Sequence, residues 1–279
     1  MLEPGIYVLA TPIGCLQDIT LRAIEVLKTV DLVLCEDTRV TKKLLQHLGI
    51  SAKTQSLHKF NEAHSITTIL AQITNGARIA LVSDAGTPAI HDPGAKLVAA
   101  AHAALVHVAV VPGPSSVTAA LSVAGCYADT FWFQGFLPSK TSALTAALQQ
   151  IAQTQTTVVC FESTHRIQQT LALIHTEVAP QRTLVLAKEL TKMHESVRVV
   201  QVLEIPSILT EPATYFKGEW VLVFKPYSIP QSGISQQAKT MLEHLVPVCG
   251  VSQAVKVTKA IPGASKKELY DFAIATSAD

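Results

Sequence analysis

LVSDAGTPAIHDPG, residues 81–94, begins as a strand and breaks into two tight turns before a helix can follow. Leu81 and Val82 close an apolar run that follows Arg78, and Ser83-Asp84-Ala85-Gly86-Thr87-Pro88 then breaks it with Asp, Gly and Pro. Asp92-Pro93-Gly94 makes a second turn. Proline fixes the backbone at small entropic cost, glycine lets it approach another molecule closely, and Ser, Thr and Asp supply short polar groups. Such a loop, in a chain that is 48% hydrophobic, fits an ordinary tight turn or a ligand-holding device at the end of a strand, and its recurrence decides between them.

Two further loops share its chemistry. Ala10-Thr11-Pro12-Ile13-Gly14 follows a strand over Gly5–Ala10, and Val111-Pro112-Gly113-Pro114-Ser115-Ser116 follows a strand over Val106–Val111. Between them the pattern predicts helices after Asp18 or Thr20, over Thr38–Leu48 (closed by Gly49), over Glu62–Ile73 and over Gly94–Ala104. Strands are predicted over Val30–Glu36, near Lys53–Leu57 and over Arg78–Val82. Strands alternating with helices imply an α/β fold with a mostly parallel sheet. In such sheets ligands sit beyond the carboxyl ends of the strands, where all three loops fall.

The second half repeats the alternation with more antiparallel character. Strands are expected at Phe131–Phe133, Thr157–Phe161 and Thr183–Ala187, with helices near 141–152 and 164–177. Glu195–Ile205 and Glu219–Phe224 are expected to pair as neighbouring antiparallel strands. Lys225–Ser235 reads as a linker. Gln236–Ala275 reads as two or three short helices broken at Gly250 and Pro262-Gly263. The expected domains are 1–118 and 119–227, both α/β, and a small helical domain over 236–279.

Composition narrows the function. The net charge is +1, so the chain as a whole does not present the cationic field of a nucleic-acid coat, and any polyanion contact must be local. No apolar run reaches the roughly 20 residues of a membrane span, and the N-terminus lacks the basic start of a signal peptide. Five scattered cysteines without a CxxC argue against a zinc site or a disulfide framework and for a reducing, cytoplasmic address. GxGxxG, GxxxxGK[ST] and G-x-S-x-G are all absent, which excludes the dinucleotide fingerprint, the P-loop and the nucleophile elbow. No histidine has a partner at metal-ligand spacing, and no metal is expected.

ATPIG (10–14), EDTR (36–39), HKFNE (58–62), SDAGTP (83–88), DPG (92–94) and PGPSS (112–116) together resemble the tetrapyrrole (corrin and porphyrin) methylase superfamily. With GFLP (135–138), FESTHRI (161–167), KELTKMHE (188–195), KGEWVLVF (217–224) and KKELY (266–270), the likeness spans the chain and is nearest to the branch that methylates small-subunit ribosomal RNA. The resemblance implies two α/β domains with S-adenosylmethionine folded into the cleft between them, usually in a homodimer. It implies 2′-O-methylation of a cytidine ribose in the decoding region of 16S rRNA, within the small ribosomal subunit. The alternatives are methylation of a tetrapyrrole precursor at carbon, and a non-catalytic nucleic-acid binder using the helical tail. Cys15 and Gln17 depart from the pattern where Asn and Gly are expected. Thr164 stands for Pro, His91 for Ser and Ala89 for a larger apolar residue.

Under that resemblance the three loops become the cofactor site: Pro12, Gly14, Asp84, Ala85, Gly86, Thr87, Pro88, Pro112, Gly113, Ser115 and Ser116. A ribose hydroxyl is a poor nucleophile, helped by a base or by a cation beside the developing alkoxide. Glu189 and Glu36 are the candidate bases, and Lys188 and Lys192 the candidate alkoxide or phosphate stabilisers; the Lys188–Lys192 cluster also fits a solvated turn. Asp37 or Thr38 fits a helix N-cap with Glu36 and Arg39 pairing locally, and Arg39 equally fits an RNA phosphate. His58, Asn61 and Glu62 are expected to face the same crevice, with a helix-terminal charge the plainer role for Glu62. Arg166 is assigned to a phosphate or a dimer contact. The lysine-rich tail, including Lys266 and Lys267, resembles a helix-turn-helix scaffold open to RNA or to packing alone.

Overall fold

The computed structural model describes residues 2–58, 61–126, 129–227, 234, 236–261 and 264–276. Lys59, Phe60, Pro262, Gly263 and most of the expected linker lie outside the described residues. The chain divides into two compact units, residues 1–227 and 228–279.

The first unit holds two five-stranded sheets. In the first, β1 (Gly5–Leu9), β2 (Leu32–Cys35), β3 (Thr54–Ser56), β4 (Arg78–Leu81) and β5 (Val108–Val111) run parallel in the order β3-β2-β4-β1-β5. The pleat sends alternate residues to opposite faces. Tyr7, Leu9, Val33, Cys35 and Ala80 meet Ala23, Val26 and Leu27 of α1 (Leu21–Thr29) and Leu45 of α2 (Thr38–His47). Ile6, Leu34, Ile79 and Leu81 meet Ile69 and Ile73 of α3 (Glu62–Thr74) and Leu97 and Ala101 of α4 (Ala95–Ala103). Each fully buried Leu or Ile contributes roughly 1.5–3 kcal/mol. Thr20 caps α1 by accepting the Ala23 N–H at 3.1 Å, and Asp37 caps α2 by accepting the Arg39 N–H at 2.8 Å.

α5 (Ser116–Val123) follows β5 and runs through position 118; its short apolar sequence carries no clear helical period and was not expected. Its Val117 and Ala120 pack on the second sheet with Val159, Val185, Val221 and Val223. That sheet has the order β6-β7-β10-β8-β9, built from β6 (Phe131–Phe136), β7 (Thr157–Glu162), β8 (Thr183–Lys188), β9 (Ser196–Gln201) and β10 (Trp220–Phe224). Its other face is covered by α6 (Thr141–Gln153), α7 (Ile167–Glu177) and α8 (Ile205–Ile208).

Here the expected pairing of the last two strands is corrected. β10 inserts between β7 and β8, antiparallel to both, while β9 pairs with β8 at the edge. All five β10 residues are buried, so Trp-Val-Leu-Val-Phe suits a central strand, whereas Ser-Val-Arg-Val-Val-Gln keeps polar groups for an edge. The strand expected up to Ile205 ends at Gln201, where a Gln201–Glu204 capping box turns the chain toward α8 with Pro206 in its first turn.

The second unit is helical, as expected. α9 (Gln236–Thr258) breaks at Gly250, whose φ is 77°, and packs Ala238, Leu242, Ala254 and Val255 against Leu269 and Ala273 of α10 (Lys266–Thr276).

Candidate active site

The carboxyl ends of the parallel strands open onto a cavity of about 570 Å³ walled by both sheets. The three Pro-Gly loops form one side, and they are tied to one another. Thr11 and Gly86 exchange backbone hydrogen bonds at 2.9 and 3.0 Å, and the Thr11 hydroxyl donates to the Ser83 carbonyl at 3.0 Å. The Thr87 hydroxyl donates to the Pro114 carbonyl at 3.2 Å. Gly86, at φ 82°, uses a backbone conformation that side chains resist.

The opposite side comes from β6, β7, β10 and the turn after β8. Gly14 lies so close to that turn that a Cβ there would stand 2.5 Å from Lys192 Cγ and 2.7 Å from Thr191 Oγ1, while Cys15 N–H donates to Thr191 Oγ1 at 3.0 Å. His91 makes a second bridge. Its ring occupies the space a Cβ on Gly135 would need, and its Nε2 accepts the Phe136 N–H at 3.3 Å. A register shift between Phe133 and Gly135 in β6 shapes this contact. Ala89, His91, Glu189 and Thr191 all hold positive φ (64°, 70°, 49° and 64°), each costing about 1–3 kcal/mol, and all four sit in the two turns that supply His91, Asp92, Glu189 and Lys192 to the cavity.

Five carboxylates line the cavity (Asp84, Asp92, Glu162, Glu189 and Glu219) against one lysine, Lys192. Glu162 is neutralised by Arg166 at 2.7 Å and accepts the Thr170 hydroxyl at 2.6 Å. Burial pushes the Glu189 carboxyl up, but the Glu219 N–H and the Lys192 ammonium outweigh it and leave it below its ordinary range. Lys192, between Glu189 at 2.9 Å and Glu219 at 3.0 Å, loses by burial and gains more from those partners, so it stays protonated well above neutrality. Asp92 goes the other way: burial first, and the charge of Glu36 next, raise its pKa to about 6 against a Ser83 hydrogen bond. Ile13, Val117, Phe136, Phe161 and Trp220 add apolar and aromatic walls.

Residues 5–206 match the model of the tetrapyrrole (corrin/porphyrin) methylases. The chain belongs to this family. It is 40% identical to the ribosomal RNA small subunit methyltransferase I of Escherichia coli O157:H7 over 96% of this chain and 94% of that one. It is 41% identical to the protein of the same name from Neisseria meningitidis serogroup B, over 96% and 92%. The fold is shared with a cobalt precorrin-4 methyltransferase of cobalamin biosynthesis (TM-score 0.57, 17% identity, 79% of this chain and 94% of that chain). It is shared too with a Thermus thermophilus uroporphyrin-III C-methyltransferase complexed with S-adenosylhomocysteine (TM-score 0.55, 18% identity, 79% and 97%).

In this methylase the residues fit S-adenosylmethionine, the cofactor of the family. A cavity of this size suits a ligand of nucleoside-plus-amino-acid dimensions. Unneutralised carboxylates suit its sulfonium and ammonium charges, and aromatic walls suit its adenine. Of the residues expected to hold it, Asp84, Ala85, Gly86, Thr87, Ser115 and Ser116 line the cavity. Pro12, Gly14, Pro88, Pro112 and Gly113 shape the loops without lining it; Gly113 lies against Ala10, where a Cβ would stand 3.2 Å from the Ala10 Cβ.

Among the expected catalytic residues, Glu189 and Lys192 line the cavity, but Glu36 does not and reaches it only through its charge on Asp92. Lys188 is turned away from the cavity, with its Nζ donating to the Tyr215 carbonyl. The expected RNA contacts are scattered. Arg39 is exposed and chelates Asp37, not Glu36. The Asn61 side chain accepts the His58 N–H and donates to the Ser56 carbonyl, so it builds the turn that enters α3. Glu62 is 4% exposed, and its Oε1 accepts the N–H groups of Gly94, Lys96 and Leu97, so it caps α4 from a buried position. Arg166 is consumed internally by Glu162 and the Leu137 carbonyl. Lys266 and Lys267 are exposed at the start of α10 in the second unit.

Asp92, His91, Glu162 and Glu219 were assigned no role from sequence. The Asp92-Pro93-Gly94 turn was the available signal for the first two; the others lie at the ends of strands, where only the second sheet's topology aims them inward.

Proposed function

We propose that this protein transfers a methyl group from S-adenosylmethionine to the 2′-oxygen of a cytidine ribose in the decoding region of 16S rRNA. The observation that carries the reading is the acidic, aromatic-walled cavity in a chain about 40% identical, along 96% of its length, to proteins named for small-subunit rRNA methylation. The bound cofactor supplies an electrophilic methyl on a sulfonium. Asp84 and Asp92 hold cationic and hydroxyl groups, Thr87, Ser115 and Ser116 supply short hydrogen bonds, and Ile13, Phe136 and Phe161 exclude water.

Lys192 is the cation that faces the acceptor. Its ammonium, kept protonated by Glu189 and Glu219, donates to the oxygen as negative charge develops there, and the hydroxyl proton passes to solvent water. Glu189 orients Lys192, and its lowered pKa makes it a weak base. The reading extends to a cytoplasmic homodimer acting on the assembled small subunit, with α/β domains dividing near residue 118 and the helical unit as a docking element. Val110, 64% exposed on the edge strand β5, supports a face that a second copy covers.

The test offers labelled S-adenosylmethionine with assembled small subunits, naked small-subunit rRNA and a porphyrinogen side by side, and maps the product by mass spectrometry. A ribose-methylated cytidine in rRNA is expected. Label in the porphyrinogen alone would overturn the reading.

A further inference from the structure

The cavity's excess of carboxylates favours a cationic cofactor and repels the phosphates of an RNA strand, so a ribose can enter only if its phosphates are held elsewhere. Across the wall formed by Glu189 and Gly218 lies a second recess of about 440 Å³, lined by Lys188, His194, Thr214 and Lys217 as well. Its electrostatics are reversed. Two lysines and a histidine face one carboxylate, and that one, Glu189, is already engaged by Lys192 at 2.9 Å and by the Glu219 N–H at 2.8 Å.

Lys188 is 8% exposed. Its Nζ donates to the Tyr215 carbonyl and stands 5.1 Å from the Tyr215 ring centre and 5.6 Å from that of Trp220. Among the described residues no carboxylate is ion-paired with Lys188 or Lys217. Two aromatic faces, a carbonyl and the charge of Glu189, which Lys192 also shares, offset only part of the cost of burying a cation, and a counter-anion would supply the rest. The rim is already shaped. Thr164 pins the turn that carries Lys217 by donating to the Phe216 carbonyl at 3.0 Å and accepting the Gly218 N–H at 3.1 Å. A Cβ on Gly218 would strike the Glu189 side chain, so these two residues, which line both recesses, are packed directly against each other.

We propose that this recess binds a phosphate of the RNA strand, the phosphodiester beside the ribose presented to the cavity. The proposal rests on the rRNA reading above. Phosphate contacts set register rather than sequence. Lys188 and Lys217 therefore decide which ribose along the strand reaches Lys192, while the acidic cavity keeps the backbone itself out.

The full-length protein and its Lys217→Gln and Lys188→Gln variants test this. Lys217 is exposed, so its variant carries the test if Lys188→Gln fails to fold. Cofactor affinity is read by calorimetry, and affinity for a fluorescent RNA of the target region by anisotropy across about 50–200 mM salt. Each variant is expected to lose RNA affinity by about tenfold, and its salt slope to fall by about 0.7. KM for RNA should rise while kcat and cofactor affinity hold. One methylphosphonate beside the target ribose should reproduce the loss in the wild type and add none in Lys217→Gln. Inorganic phosphate should change Trp220 fluorescence saturably in the wild type and not in the variants.

Unchanged RNA affinity and slope in Lys217→Gln, or loss of cofactor binding in step with RNA, would overturn the proposal. Phosphate binding with RNA binding indifferent to Lys217 would make this a free-phosphate site and overturn the RNA assignment. A wild type that methylates no RNA would sink the rRNA reading, and the phosphate titration would then still decide whether the recess holds an anion.

Discussion

Replacing Asp92 by Asn should make the protein more stable and a worse binder of its cofactor. Burial, then the charges of Glu36 and Asp84, move the Asp92 pKa from 3.8 to about 6, against the Ser83 hydrogen bond and the nearby His91. Between those values the native state holds a proton that the unfolded chain has lost, so stability falls as pH rises from about 4 to about 6 and is flat above. The full cost of the ionised carboxylate is about 3 kcal/mol, and because Asp92 keeps some contact with water about 1–2 kcal/mol is expected in practice. Asn keeps the shape and removes the charge. Urea unfolding at pH 7.5 should show that gain, or about 2–4 °C in Tm for each kcal/mol, and at pH 4 the gain should vanish. Affinity for S-adenosylmethionine at pH 7.5 should fall at least about tenfold with the charge-assisted hydrogen bond gone. An Asn variant less stable than the wild type at pH 7.5, or equally stabilised at both pH values, would refute the account of Asp92.

Lys192→Ala should lower kcat by about 10²–10³ while cofactor affinity stays within a few-fold, since the lysine acts on charge that develops during transfer; single-turnover methylation and calorimetry separate the two, and an equal loss in both would reassign Lys192 to binding. Glu62→Ala should cost about 1–3 kcal/mol in urea unfolding by uncapping three N–H groups at the start of α4, with RNA affinity of the folded variant unchanged. A drop in RNA affinity without loss of stability would restore the substrate role that its position after β3 suggested.

Apart from α5 and α8, the order of strands and helices was legible in the sequence alone, as were the Gly250 break and the three Pro-Gly loops at strand ends. These features are local: a strand's alternation, a cap or a left-handed glycine is decided within a few residues, and β/α alternation then implies where a ligand sits. The EDTR, SDAGTP and KELTK motifs located the family, and the last two supplied Asp84, Ala85, Gly86, Thr87, Glu189 and Lys192 of the cavity lining. What only the tertiary structure decided involves partners far apart in the chain. β10 is central because two strands from elsewhere need a filler apolar on both faces. Glu62 caps a helix that begins 33 residues later, and Gly14 is a glycine because Thr191 and Lys192 press on it. The same holds for charge. Glu189, Lys192 and Asp92 read alike as polar turn residues, and their roles part only when the folded chain sets Lys192 between two carboxylates and buries Asp92 beside the charge of Glu36. Coulomb energy and desolvation depend on distance and burial in space, and neither is written in the spacing of residues along the chain.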